Sequence, residues 1–363
     1  MKRMRKWVVT GGHHNSALVL ANHLIEEGDQ VIWYGHRHAA SQDQNDSAEY
    51  VEVTASKIQF HELKAGKLGE GTTFFQFIRI PIGVSHAYRL LKRDRPDAVI
   101  SFGGYLGFAT ALAAFLLHIP IFLHEQTVVA GKANKLTSRL ATRVYLTWGS
   151  SITSFPKWVK TKVVGLPIRP NILRNYKKKL FPNGKPTLLI LGGKQGSHNI
   201  NSKIFAHLPQ LLSRYNLIHQ TGTSSVMLDY ERAISLCTAL PPELAITYQP
   251  VGYLGESEII GALDAADLVI GRSGAHITYE LGIKGKPSVL IPYLLTHDQE
   301  QLKNARLLVS QGLSEIIGES ELTFPKLLSA ITRMLKIKNP QPLPLPKNSA
   351  TLMAIDMRQA LGD

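Results

Sequence analysis

A single cysteine, Cys237, stands in a chain of 363 residues. It excludes an internal disulfide and a thiolate cluster for a metal, a pattern suited to a reducing compartment. Acids are the scarcer charge: 27 Asp and Glu face 41 Lys and Arg, a formal charge of +14. That excess favours an anionic partner such as nucleic acid, a phosphorylated substrate or an acidic lipid surface, though it serves plain solubility equally well. An uninterrupted apolar run is missing too. The longest tract, 103–123, has the length of a membrane span, but His118 and Pro120 break it, so it predicts a buried helix followed by a buried strand. After the basic opening MKRMRK only Trp7, Val8 and Val9 precede Thr10. This is too short an apolar core for a secretory leader and reads as a mature, cytoplasmic start.

What is present is repetition. Short apolar runs at 31–34, 98–101, 121–123 and 143–146, then at 188–191, 217–219, 268–270 and 288–291, alternate with helical patterns. Strands that are apolar throughout are buried on both faces, which predicts parallel sheets and an α/β fold. VVTGGHHNSALVLANHL reads strand, glycine turn, helix, and LLILGGKQGSHN repeats it; VISFGGYLGFATALAAFLLHIPIFL likewise matches LVIGRSGAHITYELGIKGKPSVLIP. At ~100–200 residues per domain, two doubly wound domains are predicted. The break falls in the proline-bearing stretch 164–186, giving an N-terminal domain 1–165 and a C-terminal domain 166–345; after NPQPLPLPKN, residues 346–363 should form a helix packed back on the body.

In doubly wound sheets ligands sit beyond the carboxyl ends of the strands, where glycine lets backbone amides approach and a helix N-terminus carries partial positive charge. All four glycine turns lie there, and two such domains face to face would line a cleft from both sides. A dehydrogenase does not fit: the first loop is TGGHHNSA rather than G-x-G-x-x-G, and the second strand ends Tyr34, Gly35, His36, Arg37 with no acid for a ribose. No G-x-x-x-x-G-K-[ST] occurs. Nor does any D-x-D, so no carboxylate-bridged metal is expected on a diphosphate, and no cofactor is called for.

Taken together, TGGH, FGGY at 102–105, HEQ at 124–126, GGKQG, HQTG at 219–222, ADLVIGRSGA and DQEQLKNA resemble the MurG family of peptidoglycan glycosyltransferases, in its order and spacing, from about residue 6 to beyond 310. The resemblance implies a GT-B fold, two Rossmann-like domains facing across a cleft, with a UDP-sugar donor on the C-terminal domain and a polyprenyl-pyrophosphate-linked acceptor on the N-terminal one. It implies inverting transfer of N-acetylglucosamine from UDP-GlcNAc to undecaprenyl-pyrophosphoryl-MurNAc-pentapeptide by a peripheral protein on the cytoplasmic face of the cell membrane, with no nucleic acid involved.

Roles follow by matching positions. Glu280, about one and a half turns into the helix after Gly274, corresponds to the glutamate that accepts hydrogen bonds from the ribose. Arg169 and Gln195 fall near the diphosphate, with Lys194 where the family has serine. Ala275, His276, Ile277, Thr278 and Tyr279 share the turn of Glu280. Gln301 and Asn304 contact the sugar, Glu300 having replaced a glutamine, and the uracil contact falls near Leu254. On the acceptor side the loop Thr10, Gly11, Gly12 holds a diphosphate, and His13 lies by the attacking hydroxyl. An imidazole titrates near neutrality and can take that proton; a structural histidine is the plain alternative, and His14 reads as packing. Tyr105, His124, Glu125 and Thr127 line the same side, unless His124 and Glu125 are simply a hydrogen-bonded core pair.

Departures from the family concentrate on the acceptor side: Val8 and Val9, Ser16, Gly107, Phe108 and Ala109, Thr127 and Leu166, with Ala275–Ile277 altered in the sugar pocket. A different lipid acceptor, or a catalytically silent UDP-sugar-binding subunit, would show the same pattern; a non-hydrolysing epimerase would need acid and base carboxylates around the sugar. Phe74, Phe75 and Phe77, ahead of the basic end of 74–95, suggest contact with an anionic membrane surface.

Overall fold

The computed structural model describes residues 3–38, 46–63, 73–174, 180–193, 195–295 and 299–363, without the side chains of 48, 73–80, 256 and 257. The chain divides into two compact units, Met1–Ile168 together with Pro346–Asp363, and Arg169–Leu345.

The first unit holds β1 (Lys6–Thr10), β2 (Gln30–Gly35), β3 (Gln59–Glu62), β4 (Ala98–Ser101), β5 (Ile121–Glu125), β6 (Arg143–Leu146) and β7 (Thr161–Val163). They form one parallel sheet in the order β3-β2-β1-β4-β5-β6-β7. Alternate residues of β1 face opposite ways, and both faces are covered. Trp7 and Val9 pack on Ala17, Leu20 and Leu24 of the helix His14–Glu26. Val8 packs on Ala87 and Leu91 of the helix Thr73–Asp94 and on Ala113 and Ala114 of the helix Gly104–Leu116. Each fully buried large side chain contributes about 1.5–3 kcal/mol.

The terminal helix, Ser349–Ala360, joins this unit by burying Met353 and Met357 beside Trp7. Its charges are matched too: Asp356 accepts from Arg143 at 3.1 Å, Lys162 at 2.6 Å and the Tyr145 hydroxyl at 2.9 Å, while Arg358 pairs with Glu27 and Asp29.

The second unit repeats the plan with β8 (Thr187–Leu191), β9 (Asn216–Gln220), β10 (Tyr248–Val251), β11 (Leu268–Gly271), β12 (Ser288–Leu290) and β13 (Ser314–Ile316), parallel and in the order β10-β9-β8-β11-β12-β13. Leu188, Ile190 and Ile270 pack against Ile200 and Ile204 of the helix His198–Ala206 and against Leu327 and Ile331 of the helix Phe324–Met334. In both units the strand order reverses direction between two neighbours, β1 and β4, then β8 and β11. Those reversal points are where doubly wound sheets open a crevice for ligands.

Candidate active site

In the first unit the two glycine turns at the reversal point lie backbone against backbone. Gly11 has φ of +135°, and a Cβ there would sit 2.7 Å from the backbone of Phe102, so only glycine fits. The Gly12 N–H donates to the Gly103 carbonyl at 3.1 Å. Thr10 is wholly buried beneath this loop, its hydroxyl without a hydrogen-bond partner among the described residues. His13 is the N-cap of the helix His14–Glu26, its side chain making no capping bond, and it is exposed. His14 turns aside to pair with Glu52 at 3.0 Å.

Tyr105 follows the second turn, and its half-buried phenol hydrogen-bonds His36; burial, reinforced by the charge of Glu49, pushes it up to about 12. His124 and Glu125 end β5 at 1% and 2% exposure. Nε2 of His124 donates to the Gly165 carbonyl at 3.0 Å, and the ring lies 5.2 Å from that of Phe102. The Glu125 carboxylate accepts from the Thr127 amide at 2.9 Å, the Thr127 hydroxyl at 2.8 Å, the Asn134 amide at 2.7 Å and the Gly131 N–H at 3.3 Å. Both side chains are buried and hydrogen-bonded within the first unit. Glu125 and Thr127 shape the loop that follows β5.

The loop after β8 is built against the end of β9. Gly196 and Gly222, at φ of +84° and +94°, meet so closely that a Cβ on Gly222 would fall 2.2 Å from the Gly196 nitrogen. Gln195 is exposed on this loop, and Lys194 lies outside the described residues. Leu254 is buried, and its N–H is taken by Gln220 at 3.1 Å. Beneath the loop Asn201 donates to the Thr221 carbonyl and Asp229, both at 2.8 Å, and accepts from His219 Nε2 at 3.0 Å.

After β11, Arg272, Ser273 and Gly274 lead into the helix Ala275–Lys284, capped by backbone alone at Gly274. Amides at the start of such a helix are ready donors for an anion. Glu280 is 3% exposed, and its Oε1 is buried with no hydrogen-bond partner among the described residues; His276 Nδ1 is 3.9 Å away. Ala275, Thr278 and Tyr279 are buried beside it, while His276 and Ile277 are half-buried. Asn304 is buried and donates to the Ser273 carbonyl at 3.2 Å; the Gln301 carbonyl accepts from the Ser273 hydroxyl at 2.8 Å. Gln301 and Asn304 therefore grip the turn that presents Glu280. Arg169 carries a buried guanidinium nitrogen with no hydrogen-bond partner among the described residues.

Sequence reasoning passed over Arg272, which donates to the Ile291 carbonyl at 3.0 Å and the Ser197 hydroxyl at 2.8 Å and pairs with Glu319. Burial pushes the Glu319 carboxyl up, but the donors Arg272 and Asn199 outweigh it and hold it below its ordinary value. An arginine between a strand end and a glycine turn was the available signal. Among the described residues no group of three His, Cys, Asp or Glu side chains is disposed to hold a metal. The side chains of Phe74, Phe75 and Phe77 lie outside the described residues.

The model of the glycosyltransferase family 28 N-terminal domain matches residues 9–146, and that of the family 28 C-terminal domain matches 187–358. The UDP-N-acetylglucosamine--N-acetylmuramyl-(pentapeptide) pyrophosphoryl-undecaprenol N-acetylglucosamine transferase of Clostridium botulinum (strain Langeland / NCTC 10281 / Type F) is 30% identical over 349 residues, 93% of this chain and 92% of that protein. The crystal structure of Acinetobacter baumannii MurG is similar with a TM-score of 0.70 at 25% identity, covering 98% of this chain and 99% of that one. UDP-GlcNAc 2-epimerase from Neisseria meningitidis, solved bound to UDP-GlcNAc, reaches 0.66 at 15% identity over 98% and 100% of the two chains, a likeness of fold alone.

Proposed function

Because the chain belongs to glycosyltransferase family 28, we infer that it is the hexosyltransferase that moves N-acetylglucosamine from UDP-GlcNAc to undecaprenyl-pyrophosphoryl-MurNAc-pentapeptide, converting lipid I to lipid II. The donor is held by the second unit and the lipid-linked acceptor by the first. Glu280 carries the donor assignment: a buried carboxylate oxygen with no hydrogen-bond donor of its own, at the sheet's reversal point, suits the two hydroxyls of a ribose.

The acceptor hydroxyl oxygen bonds to the anomeric carbon as the bond from that carbon to the diphosphate breaks, and the centre inverts. His13 takes the hydroxyl proton. UDP departs with the bonding electron pair, and its added charge falls on the amides opening the helices His198–Ala206 and Ala275–Lys284 and on Arg169. Preorganised donors of this kind act without a metal.

The same reading makes the protein peripheral, working at the cytoplasmic membrane face. No helix among the described residues is long and apolar enough to cross a bilayer. The helices Thr73–Asp94 and Gly104–Leu116 expose Ile82, Phe115 and Leu116 and carry an apolar groove of ≈ 420 Å³, with Lys92 and Arg93 closing the first of them. Such a surface suits a lipid-linked acceptor in an anionic membrane.

Purified protein given UDP-GlcNAc and a short-chain lipid I analogue should release UDP and form the disaccharide, seen by mass spectrometry. His13→Ala should lower kcat by roughly 10²–10⁴-fold with little change in KM for the donor. Full rate in that variant would move the base elsewhere. UDP binding without turnover on the analogue would overturn the acceptor, and conversion of UDP-GlcNAc to its 2-epimer without acceptor would overturn the reaction.

A further inference from the structure

We propose that Gln220 couples the two ends of the donor site, making the uridine and diphosphate halves of UDP bind cooperatively. The inference rests on the donor reading above. β9 runs between β8 and β10 in the sheet, so its last residue has a ligand loop on either side. Gln220 is 5% exposed and spends its amide on both loops: Nε2 donates to the Gly193 carbonyl at 2.9 Å, and Oε1 accepts from the Leu254 N–H at 3.1 Å. Gly193 belongs to the loop expected at the diphosphate, and Leu254 to the loop expected at the uracil.

Gly193 has φ of +88° and nothing within 4 Å of where a Cβ would be, so the tip of its loop has little packing to hold it. The backbone bonds just past β9, Thr221 to Val251 at 2.9 Å and Gly222 to Gly252 at 3.0 Å, run to the β10 side; on the β8 side the loop closes on itself, the Gly196 N–H donating to the same Gly193 carbonyl at 3.1 Å, and rests on Gly222. The Gln220 carboxamide contacts both sides at once, and its orientation is fixed because each end has one acceptable partner. Whichever half of the ligand arrives first orders its loop, sets the carboxamide, and leaves less ordering for the second half. That is positive coupling without any new contact to ligand. Gln220 is thus a positioning residue, reaching the donor only through the two loops.

Calorimetric titration with uridine and with UDP reads the coupling as the preference for UDP over uridine. Gln220→Met keeps the length and apolar stem and loses both polar ends; the preference should fall roughly tenfold, within the usual range of such couplings, while uridine affinity stays within about threefold of wild type. Gln220→Glu keeps an acceptor for Leu254 but sets an oxygen against the Gly193 carbonyl, and should give the same loss if the first variant does not fold. KM for the lipid acceptor should not move in either. Parallel losses for uridine and UDP, leaving the preference intact, would mean a purely structural role and overturn the proposal. Wild-type protein that binds neither ligand would remove the donor reading and this inference with it.

Discussion

Each unit buries a glutamate beyond a strand, Glu125 at the end of β5 with 2% exposure and Glu280 in the helix after β11 with 3%, and the two are treated in opposite ways. Glu125 has four donors from its own loop. Glu280 has a buried oxygen with no hydrogen-bond partner among the described residues and a histidine nitrogen no nearer than 3.9 Å. Burial is equal, so it cannot separate the roles. Completion of hydrogen bonding does: a buried carboxylate left short of donors costs stability, and such a cost persists where a ligand supplies the missing donors. The first unit satisfies its buried carboxylate from its own loop, and the second leaves an oxygen of its own open.

Two substitutions test that contrast. Glu125→Ala strands the donors of Thr127, Gly131 and Asn134, and should cost about 3–5 kcal/mol, read as a lower urea midpoint, with UDP affinity unchanged. Glu280→Gln should do the reverse. It removes an unmatched charge, so the urea midpoint should hold or rise, while UDP affinity falls about 30-fold, near 2 kcal/mol. A Glu125 variant that kept its stability but lost activity, or a Glu280 variant that unfolded, would exchange the two roles and break the comparison.

The interior strands were legible because each is covered on both faces: the runs read at 98–101 and 143–146 are β4 and β6 to the residue. Four strands were missed, β3, β7, β10 and β13, and all four are sheet edges. Edges are short and polar, here QFHE, TKV, YQPV with its proline, and SEI, so they lack an apolar signature. The glycine turns at both reversal points were legible too. Side-chain partners distant in sequence were not. Nothing in HEQT says that its glutamate bonds Asn134, and nothing in HQTG says that its glutamine spans two loops. Two positions read as departures show their neighbours only in the fold: the Ser16 hydroxyl donates to Gln126 at 3.4 Å, and a Cβ at Gly107 would meet the Ser101 hydroxyl at 2.3 Å.

The smallest effect sharpens the comparison through pH. His219 is fully buried in the second unit, between the Tyr248 hydroxyl at 3.1 Å and the Asn201 carbonyl oxygen at 3.0 Å. Because the Asn201 amide nitrogen already donates to Thr221 and Asp229, its oxygen faces His219, which places a proton on Nε2. Burial pushes this imidazole down to about 3, against the pull of Asp229. Between about 3 and the ordinary 6.5 the unfolded chain therefore binds a proton that the folded chain refuses, and stability falls as pH falls, by up to about 1.4 kcal/mol per unit. Glu125 works the other way: burial raises its carboxyl, so just above the ordinary glutamate range the folded state holds the proton more tightly and loses stability as pH rises. Hydrogen exchange should show the protection of β9 dropping by about 1.6 kcal/mol from pH 6.5 to 5, with no such drop in β5. His219→Gln, which keeps a neutral donor and acceptor in the same space, should flatten the slope in β9. If the slope survived, another buried group would set the acid limit of the second unit.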